Sequence, residues 1–383
     1  MPPASGSGTG SQHALRARNV DAVVAVLQAQ SDLSQAEIAR ATGLSAASVS
    51  SIVHDLAVAG RITVSAHARR QRVALCAPPG HVVGIDVGRS HLRLLLGDLG
   101  DQVLFESMSA LTPGGRVADA IAEAARQIAS ARVASGVDDV LGVCVGVAGP
   151  ISPVTRQIVA PSLLPEWFGF DIAATFSEAL GLPVIVENDA NLGALAEARV
   201  SPLGEDLVYV KVGTGIGAGI VLNGRLRRGV SNTAGEIGHL SLDPNGAVCR
   251  CGNRGCLETM ASVPAILSAL GVRLLPVNTI EQVIQYALDG DVSCARVLGD
   301  AGVALGVAAA TLCTVLNPDH IVVGGPVTGA GDLVLGPLRD SMQRRAVPAS
   351  GNDASVTASV YGDRASAVGA LVLARETFAP VRW

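Results

Sequence analysis

Four side chains that bind transition metals are crowded into residues 235–258, GEIGHLSLDPNGAVCRCGNRGCLE. His239, Cys249, Cys251 and Cys256 supply one imidazole and three thiolates, which is the ligand set of a tetrahedral zinc site. A redox-active pair is the weaker interpretation, because Cys-x-Cys lacks the spacing of the C-x-x-C motif. Since protein side chains fill all four positions, the pattern predicts a structural zinc ion rather than a catalytic one.

A second polar cluster, Glu187-Asn188-Asp189-Ala-Asn191, directly follows the apolar run 184–186. Carboxylates and carboxamides suit a sugar, because each sugar hydroxyl both donates and accepts a hydrogen bond. The same residue types also cap helices, so the cluster alone equally fits an Asx-rich helix start after a strand. Both interpretations stay open at this point.

Glycine-rich turns follow three predicted strands. The first turn, Gly88-Arg-Ser90, joins strands 82–87 and 92–97 beside Asp86. Turn amides that face a phosphate, with a carboxylate beside them for Mg²⁺, fit a nucleotide-binding hairpin. The third turn, Gly324-Gly325, follows the strand 321–323 and allows close approach of a flat group such as adenine.

The second turn, residues 213–219 (GTGIGAG), overlaps with the dinucleotide-binding pattern G-x-G-x-x-G. That pattern requires a helix after it, whereas this chain continues as Ile220-Val-Leu and the hairpin turn Asn223-Gly224. We therefore interpret it as a second phosphate hairpin in a two-lobed cleft that binds ATP and Mg²⁺. The candidate nucleotide-binding residues are Asp86, Gly88, Ser90, Gly213, Thr214, Gly215, Gly217, Gly324 and Gly325.

The N-terminal segment has the spacing of a helix-turn-helix. A first helix is predicted over 20–28, and a second begins at Ser34, where Glu37 three residues later completes a capping box. Gly43 turns the chain, and Ser45 caps a third helix whose apolar residues recur at i, i+3, i+4 and i+7. In such a unit the second helix of the pair enters the major groove of DNA by its N-terminal residues.

Candidate DNA contacts lie on the exposed face of that third helix and on a basic wing. Residues 61–64 and 73–75 predict the two wing strands, and residues 1–78 hold seven arginines against four acidic residues. A three-helix module that binds another protein is the alternative. The candidate DNA-binding residues are Ser34, Ser45, Ala46, Ala47, Ser48, Ser51, His54, Arg69, Arg70 and Arg72.

Composition indicates an α/β protein of more than one domain. The 383 residues exceed what one hydrophobic core usually organises. A net charge of −5 excludes a broad basic surface for nucleic acid or membrane, so any DNA contact must be local. Lys211 is the only lysine, which we attribute to compositional bias. The small, polar start predicts a flexible tail over 1–12, and no run has the length of a membrane helix, so a cytoplasmic protein without a membrane anchor is expected.

From about residue 81 to its end, the chain resembles the ROK family (repressor, open reading frame, kinase), and the preceding segment resembles the winged helix of its regulator branch. The most specific motif is Gly235-Glu-Ile-Gly-His239 followed by Cys249-Arg-Cys-Gly-Asn-Arg-Gly-Cys-Leu-Glu258. The resemblance implies an actin-like, hexokinase-type two-lobed ATPase fold of the α/β class, a sugar between the lobes, structural zinc, and homodimers or homotetramers. It implies sugar-binding roles for Gly149, Asn188, Asp189, Glu236, His239 and Glu258, with Asp189 as the catalytic base in a kinase.

These assignments predict four segments along the chain. A tail over 1–12 precedes a winged helix-turn-helix domain over 13–78. A first α/β lobe covers 79–187 and is completed by the C-terminal helix 364–383. A second lobe covers 188–363 and carries the zinc motif.

Two departures from the family pattern bear on activity. The first hairpin carries Arg89 and Ser90 where family kinases have a second Gly and a Thr, and Ser162 replaces an Asn after Ala-Pro. We therefore predict a sugar-responsive transcriptional regulator, a repressor, that binds operator DNA and a sugar or sugar phosphate. An ATP-dependent sugar kinase carrying a DNA-binding domain is the alternative. A pure interaction scaffold is disfavoured, because the cleft retains its polar residues.

Overall fold

The computed structural model describes residues 9–30, 32–67, 70–76, 79–159, 164–200, 205–271, 277–347 and 354–379. Two residues singled out in the sequence, Arg69 and Ser162, lie outside these ranges. The chain forms two compact units. The first comprises the residues up to Pro79 together with Asp98–Asp101, and the second comprises Gly80–Gly97 and Gln102–Ala379.

The first unit consists of three helices and a two-stranded sheet. Its elements are α1 (Thr9–Ala29), α2 (Gln35–Thr42), α3 (Ala46–Val58), β1 (Ile62–His67) and β2 (Arg70–Leu75). Helix α1 begins at Thr9, so residues 9–12, which the sequence predicts as a tail, are helical. Because β1 and β2 pair antiparallel from Ile62 opposite Leu75 to His67 opposite Arg70, they form the predicted wing.

Helices α2 and α3 are held by the caps that the sequence predicts. Ser34 and Glu37 form a reciprocal capping box, and Gly43 ends α2 in the left-handed region at φ 71°. Ser45 caps α3 by accepting from the Ser48 amide. Helix α3 turns its apolar stripe into the unit's core, which leaves the opposite face exposed.

The second unit contains two α/β lobes. Its strands are β3 (His81–Val87), β4 (His91–Asp98), β5 (Val103–Ala110), β6 (Val140–Val147), β7 (Val184–Asn188), β8 (Leu207–Val212), β9 (Ile216–Leu222), β10 (Arg225–Leu226), β11 (His320–Gly324) and β12 (Ser355–Ala358). Its helices are α4 (Val117–Ser135), α5 (Ile172–Leu180), α6 (Asp189–Val200), α7 (Glu258–Ala261), α8 (Val263–Ala269), α9 (Ile280–Leu288), α10 (Val292–Leu316), α11 (Asp332–Arg345) and α12 (Ala365–Phe378). Short 3-10 turns cover Pro165–Trp167, Ile237–His239, Pro326–Ala330 and Gly362–Arg364.

The two sheets repeat one strand order. They run β5-β4-β3-β6-β7 and β10-β9-β8-β11-β12. In each sheet, two further strands continue in parallel pairing on one side of the first strand in sequence, and an antiparallel pair lies on its other side. The repeated order confirms the predicted two-lobed α/β fold. It also brings the turns after β3 and β8, at corresponding places in the two lobes, to one cleft.

Helix α10 forms the core of the second lobe. Among the described residues it is the helix with the length and apolarity to cross a membrane, but 61% of its most apolar window is buried inside the protein. It packs along α11, where Gly302 and Gly306 allow the backbones to approach closely. The apolar run 303–316 lies within it.

Helices α6 and α12 position the cleft residues at the start of α6. Helix α12 packs against α6 and against strands β3 and β6 of the first sheet. Contact is closest at Gly369, where a Cβ atom would lie 1.8 Å from the Leu192 carbonyl oxygen. Ser366, one turn earlier on α12, donates to the carbonyl oxygen of Asp189 at 2.9 Å. The α6–α12 contact therefore determines where Asp189 lies.

Gly369→Ala is expected to destabilise the second unit, because the added methyl group forces α6 and α12 apart. Overpacking of this kind costs about 1–3 kcal/mol. Gly299→Ala in α10 is the matched control, since its Cβ would meet its nearest atoms at 3.9 and 4.0 Å. Alanine is also the better helix former, by about 0.8–1 kcal/mol. Scanning calorimetry should show a lower Tm for Gly369→Ala only; equal Tm values would contradict the close contact.

Candidate functional site

A cavity of about 320 Å³ lies between the two lobes of the second unit. Its volume falls within the range of roughly 300–1,000 Å³ that is usual for ligand sites. It is lined by all six predicted sugar-binding residues and by eight of the nine predicted nucleotide-binding residues. The exception is Gly324, whose missing side chain would meet the Tyr209 hydroxyl at 2.0 Å. Tyrosine, rather than an adenine, therefore occupies the space beside Gly324.

The polar cluster after β7 divides into two pairs with different surroundings. Glu187 and Asn191 are buried and bond to each other at 2.9 Å, and Glu187 also accepts from Arg228 at 2.6 Å. Asn188 and Asp189 line the cavity. The Asn188 Oδ1 atom accepts from the amides of Ala190 and Asn191, so it caps α6. The helix-start interpretation is confirmed, and the cap uses only the carbonyl oxygen of Asn188, a residue that also lines the cavity.

Lys211 is the cationic partner of Asp189. Its Nζ donates to Asp189 Oδ2 at 2.8 Å and to Ser366 Oγ at 3.0 Å, and it lies 3.8 Å from Asp86 Oδ1. Burial disfavours the charged ammonium, yet Asp189 and Asp86 outweigh burial and raise the pKa of Lys211 above its ordinary value. The only lysine of the chain is therefore a residue of the cleft. Attributing it to compositional bias overlooked this position.

Asp86 is buried at the end of β3, with 1% of its surface exposed. Its Oδ2 faces His91 Nε2 at 3.4 Å, and the His91 ring covers Gly88 so closely that a Cβ there would lie 2.1 Å from Cε1. Burial alone would raise the pKa of Asp86, but Lys211 and His91 outweigh burial and lower it. The first glycine turn is therefore covered by a side chain of the protein, while Arg89 lies exposed at the rim of the cavity.

Four side chains from the segment 236–258 line the other side of the cavity: Glu236, His239, Arg250 and Glu258. Glu258 Oε2 accepts from the Ile216 amide at 3.3 Å and from Arg250 at 2.5 Å. Burial raises the pKa of Glu236 to about 7, and the carboxylates of Asp189 and Glu258 act in the same direction. The backbone of this segment lies against β9, since a Cβ on Gly235 would meet the Ala218 carbonyl oxygen at 1.8 Å.

His239, Cys249, Cys251 and Cys256 come together as the sequence predicts, with all four ligand atoms within 4.8 Å of one another. Cys249 Sγ lies 3.6 Å from His239 Nδ1, and Cys251 Sγ lies 3.7 Å from Cys256 Sγ. Around a tetrahedral ion with metal–sulfur bonds of about 2.3 Å, neighbouring ligand atoms are about 3.8 Å apart. The donor set fits one tetrahedral metal ion. His239 Nε2 lies 3.9 Å from Glu236 on the cavity side.

The predicted DNA-binding residues of the first unit fall into two groups. Those that are exposed at the start of α3 and along its outer face are Ser45, Ala46, Ala47, Ser51 and His54, while Ser34 and Ser48 are half-buried. Arg72 differs from the prediction, because its guanidinium pairs with Glu37 at 2.9 Å and with Asp32 at 3.4 Å. These pairs tie the wing to the start of α2 and offset the charge that a phosphate contact would use. Arg70 opens β2.

The cavity residues that sequence reasoning missed include His91, Lys211, Arg250 and Ser366. Lys211 could have been found, since a lone lysine in an apolar strand directly before a glycine turn needs a partner for its charge. Arg250 stands between two metal ligands and could have been expected to share their rigid loop. Ser366 gives no comparable local signal, because its partners Asp189 and Lys211 come from a distant part of the chain. His91 meets Asp86 five residues earlier, across the short turn between β3 and β4.

The sequence profile of the ROK family matches residues 82–377. The chain belongs to the ROK family. Its relatives include the xylose repressor of Caldicellulosiruptor bescii, which is 28% identical over 370 residues, covering 89% of this chain and 91% of the repressor. Membership agrees with the doubled sheets, the cleft between the lobes and the metal-ligand cluster.

Two solved structures resemble this ROK protein over different extents. A ROK family transcriptional regulator, a homolog of the E. coli MLC protein, has a TM-score of 0.72 at 24% identity and covers 94% of this chain and 99% of its own. A ROK family glucokinase from Streptomyces griseus, in complex with glucose and AMPPNP, has a TM-score of 0.67 at 28% identity and covers 78% of this chain and 100% of its own. A match that covers 94% of this chain must include the first unit as well as the second. The fold of both units therefore recurs in the regulator.

Proposed function

We propose that this protein is a sugar-responsive transcriptional regulator that represses genes of carbohydrate use. The observation that carries the proposal is the presence, in one chain, of a winged-helix unit with an exposed recognition helix and a ROK unit whose cleft gathers sugar-type polar groups. The similarity to a xylose repressor extends over 89% of the chain and supports the same conclusion. A regulator of this kind acts in the cytoplasm, where its operator DNA lies.

The sugar is bound, on this proposal, by Gly149, Asn188, Asp189, Glu236, His239 and Glu258. Asn188 offers its Nδ2 donor, while the carboxylates of Asp189 and Glu258 accept from hydroxyl groups. Xylose and glucose are the first sugars to test, because the similar proteins are named a xylose repressor and a glucokinase in complex with glucose. Sugar phosphates belong in the same screen, since Arg89 lines the rim.

The ion held by His239, Cys249, Cys251 and Cys256 is, on this proposal, structural zinc. Three thiolates and one imidazole are soft and borderline ligands that zinc accepts in tetrahedral sites, and no position is left open for a substrate. The ion would fix the loop that carries Arg250 and precedes Glu258. The role of the ion would be limited to holding that loop in place.

DNA binding would use the half-buried Ser48 and the exposed residues Ser45, Ala46, Ala47, Ser51 and His54 of α3, with Arg70 at the backbone phosphates. Helix-turn-helix proteins bind as dimers to two half-sites. We therefore propose a homodimer or homotetramer that places two winged helices on one operator.

A sugar kinase is the second candidate, and two features favour it. Asp189 lies in the cleft as a kinase base would, and the Gly213–Gly217 hairpin is intact beside the cavity. The glucokinase of known structure matches over its whole length. The hydrogen bond from Lys211 to Asp189 opposes it, because a base that already accepts from an ammonium is less able to take a proton from a sugar hydroxyl.

Operator binding in nucleotide-free buffer distinguishes the two candidates. An operator is first selected from random duplexes, and its affinity is then measured by fluorescence anisotropy against a panel of sugars, beside an ATP-consumption assay. One sugar is expected to change operator affinity without ATP. Asp189→Asn should weaken that response by about 1–3 kcal/mol, because it replaces an acceptor by a donor, and should leave sugar-free DNA binding unchanged. Brisk ATP turnover without a nucleotide-free response would favour the kinase.

A further inference from the structure

The cleft contains a cation that belongs to the chain itself. The Lys211 ammonium has three donors, and two of them bond to Asp189 Oδ2 at 2.8 Å and Ser366 Oγ at 3.0 Å. Asp86 Oδ1 makes no hydrogen bond among the described residues and faces the same ammonium at 3.8 Å. One lysine thus faces the two carboxylates that phosphoryl transfer in this cleft would need.

Phosphoryl transfer would require Mg²⁺ near Asp86 and an Asp189 carboxylate that is free to accept a proton. Mg²⁺ binds oxygen ligands at about 2.0–2.1 Å in near-octahedral geometry and keeps several waters. Such an ion on Asp86 Oδ1 would lie within a few ångströms of Lys211 Nζ, and the two cations would repel each other. The other oxygen of Asp86 already faces His91.

Both carboxylate oxygens of Asp189 accept hydrogen bonds as well. Its Oδ1 accepts from the Ala190 amide at 2.9 Å, and its Oδ2 accepts from Lys211. The residues of the cleft therefore do not fit a Mg²⁺–nucleotide complex, although the turns that would hold its phosphates line the same cavity.

We propose that Lys211 is a built-in cation that takes the place of the divalent metal, so that the cleft binds its sugar without Mg²⁺ or nucleotide. The ammonium offsets the charges of Asp86 and Asp189 and holds Asp189 as a fixed acceptor for a sugar hydroxyl. The sugar part of this inference rests on the proposed function. The exclusion of the metal by Lys211 does not.

Binding of Mn²⁺, followed by electron paramagnetic resonance, tests the exclusion in the full-length, zinc-loaded protein. Mn²⁺ takes the oxygen ligands that Mg²⁺ takes, and it is the weakest competitor for the thiolate site. The wild type is expected to show no site that depends on Asp86. Lys211→Met should gain one Mn²⁺ with affinity at least about tenfold above the wild type, because the repelling charge is gone, and adding Asp86→Asn should remove it.

Arg228→Met is the matched control. It also replaces by Met the cation that pairs with a buried carboxylate, that of the neighbouring Glu187, but Arg228 does not line the cavity. It should gain no Mn²⁺. If Lys211→Met does not fold, Lys211→Gln serves in its place. A wild-type Mn²⁺ site that Asp86→Asn abolishes would overturn the proposal, as would a lysine variant that binds no more Mn²⁺ than Arg228→Met.

The sugar part is tested by measuring the response of operator binding with and without Mg²⁺ and ATP. An unchanged response supports the proposal, and a response that requires Mg²⁺ and ATP overturns it. Absence of any sugar response would count against the proposed function, whereas the Mn²⁺ measurement still decides the role of Lys211.

Discussion

Ala47→Glu is expected to abolish operator binding. Ala47 is exposed in the first turn of α3, the end of the recognition helix that approaches DNA. A carboxylate there would face the phosphates, and like charges brought together in an interface cost several kcal/mol, so affinity should fall about 100-fold or more. A negative charge near a helix N-terminus favours the helix itself. Loss of binding therefore cannot be attributed to unfolding of α3.

Ala129→Glu in α4 is the control for this change, because it makes the same substitution at an exposed helical alanine of the second unit. It should bind the operator as the wild type does. Fluorescence anisotropy over a salt series supplies a second test, since phosphate contacts release counterions and affinity should fall steeply with salt. Retention of binding by Ala47→Glu, or a flat salt dependence, would exclude α3 as the recognition helix.

Features set by neighbouring residues could be predicted from the sequence. The capping box of Ser34 and Glu37 and the cap at Ser45 form within one turn of helix, so local residue types specify them. The metal ligands converge because three of them lie within eight residues and glycines allow the loop to turn. The hairpin turn after Gly219 could also be predicted, because the Asn-Gly pair favours the positive φ that Asn223 and Gly224 both adopt.

Features set by distant pairings could not be predicted. Arg72 was expected at a phosphate, but Glu37, 35 residues earlier, takes its guanidinium. Gly324 was expected at an adenine, but Tyr209 from a neighbouring strand fills the space beside it. For Lys211 the sequence indicates that the charge needs a partner, but it does not indicate that the partners are Asp86, Asp189 and Ser366. In each case residue type alone left the partner undetermined.

The loop that carries Cys249, Cys251 and Cys256 is joined to the predicted sugar-binding residues by short stretches of backbone and by one ion pair. Arg250 lies between the ligands Cys249 and Cys251, and it bonds to Glu258, two residues after Cys256. His239 is itself a ligand and lines the cavity beside Glu236. Loss of the metal should therefore free several cavity side chains at once, whereas the first unit contains none of the four ligands.

Cys251→Ser is expected to lose the metal and the sugar response together. Cys251 is exposed, so the change to serine removes a ligand with little loss of packing, and its effect should pass through the metal. Elemental analysis should find one zinc per chain in the wild type and none in the variant. Cys76→Ser, at a half-buried cysteine outside the cluster, should keep both zinc and response. Operator binding without sugar should persist in Cys251→Ser, because the winged helix folds around its own core. A zinc-free variant with the full sugar response would show that Glu236 and Glu258 hold their positions without the metal loop.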